Sequence, residues 1–443
     1  MTPPQLPAAL GATTGEGGAE GLAEALVAAA RAAGLPAVAA GRLERLAGGA
    51  SKEMWGFALA LTSGEALPLV LRRQPPGRGI SAQGLGSVAR EAAIVRFAGE
   101  AGVPVPEIAF ELPAGSPAGD GYAMARVEGE TVGGRVLKLP ELAAARAGLA
   151  RRCGEVLARL HGARGFEPLG LRAQGAREAL AALEARHRET GQHRPVFDYA
   201  LRWLADHLPP ERGRALLHGD FRNGNLAVGP EGLRAVLDWE LAHVGPPAAD
   251  LAWLCVPSWR FQHPELAVGG FGTREDLLAG YAAAGGARVD PRELFAWEVF
   301  QTLNWGVMCA GAGRAFMDGA RSVEGAVIAR RASETEFDLM RMLAPDHAAW
   351  DRAPLASPDR FDDPPAALIL AAVRAALETG LAPGFAQKVA ANALGIAQRE
   401  LAAGAPAATG AGEVEILIGA AMGKLSVDQP SYPGFRMLVS PRD

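Results

Sequence analysis

The sequence predicts an α+β protein in two lobes, a small β-rich one followed by a larger, mostly helical one, with an all-helical domain at the C-terminal end. Three observations predict it. Between residues 42 and 127 short apolar runs alternate with glycine- and proline-bearing turns. From about residue 140 the apolar spacing is helical, and its main interruption is a β insertion at 218–238. Residues 351–365 (DRAPLASPDRFDDPP) combine prolines and aspartates with no apolar period, and helical spacing resumes after them.

The elements follow in order. Residues 1–20 are rich in Gly, Pro, Ala and Thr and read as a flexible tail. A helix over about 21–34 stops at Gly34 and Pro36. Strands are expected at 42–46, 54–61 and 67–73, forming an antiparallel meander. A helix at about 87–101 ends at Gly102, and strands near 106–112 and 121–127 close the sheet, so the first lobe spans 21–127. The second lobe, 128–350, should carry helices at about 141–161, 175–190, 196–207, 248–256, 274–284, 291–310 and 322–343. After a linker at 351–365, the accessory domain at 366–443 reads as two helices over 366–404 and another at 413–425.

Composition narrows the class of function. The chain has 443 residues, 49% of them hydrophobic, which suffices for two or three domains. Its net charge of −5 gives no general basic surface for nucleic acid. No apolar stretch reaches the length of a membrane span, and no basic region followed by an apolar core marks a signal peptide at the N-terminus. Cys153, Cys255 and Cys309 are odd in number and widely spaced, which fits a reducing cytoplasm rather than a disulfide framework or metal site.

The chemistry is concentrated in HGDFRNGNL (218–226) and VLDWE (236–240). Leu226–Val228 and Leu233–Leu237 are apolar runs around Gly229-Pro230-Glu231-Gly232, which reads as a β-hairpin with a four-residue connection. Asn225 precedes the first strand and Asp238 follows the second. Antiparallel neighbours lie about 4.8 Å apart, so two oxygen ligands converge there on one hard cation. Asp220 lies in the loop feeding the same end. The order H-x-D-x-x-x-x-N, then Asp, is that of a phosphoryl-transfer site, with Asp220 accepting the proton of an attacking hydroxyl and Asn225 and Asp238 holding magnesium. Each residue alone is an ordinary loop former, and the ordered set carries the reading.

Supporting positions are weaker singly. The loop Gly48-Gly49-Ala50-Ser51-Lys52 would let backbone N–H groups approach phosphates, although a tight hairpin needs glycine in any case. Glu91 shares a helix face with Val88, Ile94 and Val95, and a carboxylate on an apolar face needs a cation, for which Arg72 is the natural candidate. Asp250 reads first as a helix-start aspartate, with bracing of the active-site loop as the alternative. His161 reads as structural, and Trp253, Trp297 and Trp305 as core.

LAGGASKEMWGF, PLVLRRQPPGRG, REAAIVRFA, GYAMARVEGE, HGDFRNGNL and VLDWELAHVGPPAADLAWL, over about residues 42–255, resemble in order the aminoglycoside phosphotransferase superfamily. That resemblance implies a protein-kinase-like fold binding ATP and Mg2+ between the lobes. It implies Asp220 as catalytic base, Asn225 and Asp238 as metal ligands, and Met124 to Val127 as a hinge meeting adenine. Arg72 stands where most relatives carry lysine, with Glu91 as its partner, and Arg73 remains an alternative contact. VLRRQPPG and HGDFRNGN are most similar to the branch linked to acyl-CoA dehydrogenases, which implies a small-molecule hydroxyl acceptor such as a hydroxyacyl-CoA and a partner in an acyl-CoA dehydrogenase pathway. Residues 362–443 are similar to an uncharacterised helical domain encoded beside such kinases. A nucleotide-binding scaffold with a partner-recruiting C-terminal domain is the second reading, and a kinase using GTP the third.

Overall fold

The computed structural model describes residues 16–46, 52–75, 87–210, 213–351, 361–403 and 412–439. The expected glycine loop at 48–51 and most of the linker, 352–360, lie outside them. Among the described residues no helix is long and apolar enough to cross a membrane.

The first lobe is a six-stranded antiparallel sheet in the order β1-β3-β4-β6-β5, with β2 on β3. Its strands are β1 (Ala37–Ala40), β2 (Glu44–Arg45), β3 (Glu53–Leu61), β4 (Ala66–Gln74), β5 (Ile108–Glu111) and β6 (Asp120–Ala125). The β3–β4 hairpin runs from Glu53↔Arg73 to Ala60↔Ala66. Helix α1 (Glu16–Ala32) starts earlier than its spacing suggested and packs Leu22 and Leu26 into a core with Trp55, Phe57 and Leu71. Helix α2 (Val88–Glu100) begins at Ser87, whose hydroxyl accepts the Arg90 N–H. Strand β1, AVAA, was not expected: alanine is a poor strand former, and pairing with β3 makes the strand.

The second lobe contains α3 (Gly133–Val136), α4 (Ala143–Gly162), α5 (Ala176–Glu189), α6 (Pro195–His207), α7 (Pro247–Trp253), α8 (Arg274–Ala283), α9 (Pro291–Met317), α10 (Val323–Ala329) and α11 (Ala332–Leu343). Two antiparallel pairs interrupt them, β7 (Ala215–Leu217) with β10 (His243–Gly245), and β8 (Leu226–Gly229) with β9 (Gly232–Val236). The single helix expected over 322–343 is two, broken at Arg330 and Arg331, where both buried guanidinium groups turn to carboxylates. The β8–β9 hairpin forms as expected, but Gly229 pairs with Gly232, so the turn holds two residues, not four.

Helices α12 (Ala366–Thr379), α13 (Phe385–Ala403), α14 (Glu413–Asp428) and α15 (Pro433–Val439) complete the chain. Among the described residues they divide between two apolar clusters. Ile418, Ala421, Leu425 and Phe435 join the large hydrophobic cluster of the second lobe, and α12 and α13 close over Phe316, Val323 and Val327.

Candidate active site

The loop between β7 and β8 is held before any side chain on it can act. Asp250, buried in α7, accepts the backbone N–H groups of His218 (2.7 Å) and Gly219 (2.9 Å). Its Oδ2 also lies 3.3 Å from Nε2 of His161, whose Nδ1 is 3.0 Å from the Tyr281 hydroxyl. Burial opposes the charge on Asp250, and the hydrogen bond and charge of His161 outweigh it, holding the carboxyl below its usual range. Asp250 thus lies in the first turn of α7, as the helix-start reading has it, and also braces the 218–219 backbone, with His161 part of the brace. Gly219 has φ 81°, and a Cβ there would meet the Leu241 carbonyl at 2.3 Å, so only glycine makes this turn.

His218 is fully buried. Its Nε2 is 3.0 Å from the Leu237 carbonyl, and its Nδ1 accepts the Asp220 N–H at 3.1 Å, a pattern suited to neutral imidazole. Burial pushes its pKa down accordingly.

Asp220 is presented by this loop with both carboxylate oxygens engaged. Oδ2 accepts Nδ2 of Asn225 at 2.6 Å. Oδ1 accepts Nε1 of Trp253 at 2.7 Å and Nε of Arg222 at 3.0 Å. Trp253 lies in the core, as expected, yet its indole N–H fixes the candidate base. Asn225 also gives Nδ2 to the Asp220 carbonyl, and its own carbonyl accepts the Leu237 N–H at the hairpin mouth. Asp238 follows with φ 65°, a left-handed conformation that aspartate tolerates better than most residues. An amide whose nitrogen is committed to Asp220 leaves its Oδ1 available, and with the Asp238 carboxylate it could hold a magnesium ion, which takes few hard oxygen donors from a protein.

The β-rich lobe supplies the opposite wall. Arg72 on β4 has Nε 2.8 Å from Glu91 Oε1 and Nη2 2.7 Å from Asp238 Oδ1 and 3.0 Å from Glu240 Oε2. The expected Arg72–Glu91 pair is present, and the same guanidinium spans the cleft. Tyr122 gives its hydroxyl to Glu91 at 3.2 Å. Burial opposes the charge on Asp238, and Arg72 leads the charges that outweigh it and lower its pKa. Arg73 faces the other side of β4, on Glu53 and the Ala118 carbonyl, away from this cluster. Met124 sits in β6 opposite Val70, and Val127 follows the strand's end.

The sequence reading assigned no role to four groups that the fold brings here. Lys52, buried, lies 2.8 Å from Glu91 Oε2 and 3.3 Å from Glu240 Oε2. Glu240, Arg222 and Tyr122 are the others. Lys52 and Glu240 stand inside the quoted motifs, but only the closing of the lobes reveals that they meet.

The model of the phosphotransferase enzyme family matches residues 42–295. Acyl-CoA dehydrogenase family member 11 of Gallus gallus is 34% identical over 194 residues, 42% of this chain and 24% of that protein. Acyl-CoA dehydrogenase family member 10 of Mus musculus is 30% identical over 200 residues, 42% of this chain and 18% of that protein. The chain thus spans about a quarter or less of the length of these relatives. Among solved structures, a protein of Ralstonia eutropha JMP134 assigned to the aminoglycoside phosphotransferases superposes with a TM-score of 0.55 at 22% identity, covering 70% of this chain and 95% of that one.

Proposed function

The chain belongs to the phosphotransferase enzyme family, and from that premise we propose that it moves the γ-phosphoryl group of ATP to a hydroxyl of a small molecule, with Mg2+ held by Asn225 and Asp238. The observation that carries the reading is the convergence of Asp220, Asn225 and Asp238 at one hairpin mouth, opposite Arg72, Lys52 and Glu91 from the other lobe.

Bound magnesium would neutralise charge on the phosphates. Asp220, aligned by Asn225, Trp253 and Arg222, orients the acceptor hydroxyl and takes its proton. Arg72 exchanges part of its contact with Asp238 and Glu240 for phosphate oxygens, while Glu91 keeps its Nε side in place. The Asp250 brace holds the loop so that little reorganisation remains for the reacting state. Adenine would meet the backbone from Met124 to Val127, and the loop with Gly48, Gly49 and Ser51 would cover the phosphates.

The names of the curated relatives and the VLRRQPPG and HGDFRNGN segments support a hydroxyacyl-CoA as acceptor and a partner in an acyl-CoA dehydrogenase pathway. Three buried, unpaired thiols support a reducing, cytoplasmic location. The test is a panel of hydroxyl compounds, including 3- and 4-hydroxyacyl-CoA thioesters, with Mg2+ and ATP or GTP, read by product mass. Phosphorylated thioester formed from ATP is expected, and Asp220→Ala should abolish it while ATP binding persists. Magnesium-dependent ATP binding with no transfer to any acceptor would overturn the reading in favour of a scaffold. Undiminished turnover in the variant would overturn the role of Asp220.

A further inference from the structure

A continuous set of contacts joins the C-terminal helices to the Asp220 carboxylate. Both donors to Oδ1 lean on one ring: the Arg222 guanidinium carbon lies 5.0 Å from the Trp259 centroid, and Trp253 lies 5.4 Å from it. Trp259 in turn packs on Trp305 at 5.1 Å. The Trp305 indole N–H points to Oε1 of Glu334 (3.4 Å), which also accepts the Ser258 hydroxyl (2.8 Å) and Arg331 (2.7 Å). Glu334 is 1% exposed, and its other oxygen, Oε2, accepts Nε2 of Gln429 at 2.6 Å. Gln429 is the residue after α14.

A buried carboxylate keeps its orientation only while its oxygens have donors. Removing the donor on Oε2 re-aims the carboxylate, and with it Ser258, the neighbour of Trp259, and Trp305. Dense packing passes such a shift on rather than absorbing it. We propose that Gln429 is a positioning residue for the catalytic carboxylate, acting through Glu334 and the Trp305–Trp259 pair on Arg222 and Trp253. The C-terminal helices are then part of the active-site support, not a free recruiting arm. The inference rests on the reading of Asp220 as the base.

The test uses the full chain labelled with 5-fluorotryptophan, the Trp253, Trp259 and Trp305 fluorine signals being assigned by single Trp→Phe substitutions. Gln429→Ala should move all three signals and lower phosphoryl turnover, to an acceptor or to water, roughly two- to thirtyfold, the span of couplings carried through packed side chains, with the KM for ATP unchanged. Gln429→Lys retains a donor for Glu334 and should restore both. Ile396→Val, which loosens the α12–α13 packing away from Glu334, should change neither. An unmoved Trp253 signal in Gln429→Ala overturns the proposal, as does an equal effect of Ile396→Val. The fluorine signals decide this even if the wild type transfers no phosphate, a result that would count against the proposed function instead.

Discussion

Arg72 and Arg73 are neighbours with opposite fates, because successive strand residues face opposite sides of a sheet. Arg72 uses Nε toward Glu91 and Nη2 toward Asp238 and Glu240, a span that one ammonium group cannot make. Arg72→Lys should therefore weaken MgATP binding by about tenfold, or 1.4 kcal/mol, in a calorimetric titration. Arg73→Lys should leave ATP affinity unchanged and lower stability by about 1 kcal/mol through its contacts with Glu53 and Ala118. Equal losses of affinity would contradict the assignment of faces. The sequence paired Arg72 with Glu91 and left open which of the two arginines contacts phosphate. The register of β4 on β3 and β6 places Arg72 opposite Met54 and Tyr122, on the face of Glu91.

At the scale of elements, the brace on the 218–220 loop depends on how closely α4 and α8 approach, since α4 carries His161 and α8 carries Tyr281. A Cβ on Gly154 would fall 2.0 Å from the Leu277 carbonyl, and one on Gly280 2.0 Å from the Arg151 carbonyl. Gly154→Ala and Gly280→Ala should each cost about 2–3 kcal/mol by overpacking, measured by urea unfolding, and lower turnover. Gly148, on the same α4, has nothing within 4 Å of its virtual Cβ. Gly148→Ala should be neutral or stabilising by up to about 1 kcal/mol through helix propensity.

Helix α11 carries a second consequence, in pH. Burial, with help from Glu334 and Glu298 and against Tyr432 and Arg260, raises the Asp338 carboxyl to about 8. Its unfolded value is about 3.9, so the folded state holds the proton more tightly. This group's contribution to stability is fully present below pH ~4 and is lost as pH rises toward 8. Asp338→Asn removes that titration and should gain stability relative to the wild type between pH 5 and pH 8 in urea unfolding. A difference independent of pH would refute the raised pKa.

For the whole molecule, the C-terminal helices are bound to the second lobe by charge as well as by apolar packing. Lys424 on α14 lies 3.0 Å from Glu336 Oε2 and 3.3 Å from Asp362 Oδ1, and Arg194 lies 3.2 Å and 3.0 Å from the same two carboxylates. All four groups are buried, and Asp362, at the end of the expected linker, is anchored there. Lys424→Met leaves two buried carboxylates short of a cation and should cost about 3–5 kcal/mol, seen as a lower thermal midpoint. A change within 1 °C would show that α14 is only loosely attached.

The sequence by itself determined the two-lobed α+β class, most of the helices, the β8–β9 hairpin and the ordered set Asp220, Asn225 and Asp238. These are local matters, decided by apolar period, turn residues and spacing along a few turns of chain. Tertiary structure alone decided that Asp250 and His161 brace the loop, that Trp253 and Arg222 hold Asp220, that Lys52 and Glu240 join Arg72 and Glu91, and that α14 and α15 share the second lobe's core. Apart from the local Arg222–Asp220 pair, each of those contacts joins residues distant in the chain, and their pairing follows from how helices and lobes pack, which no local pattern encodes.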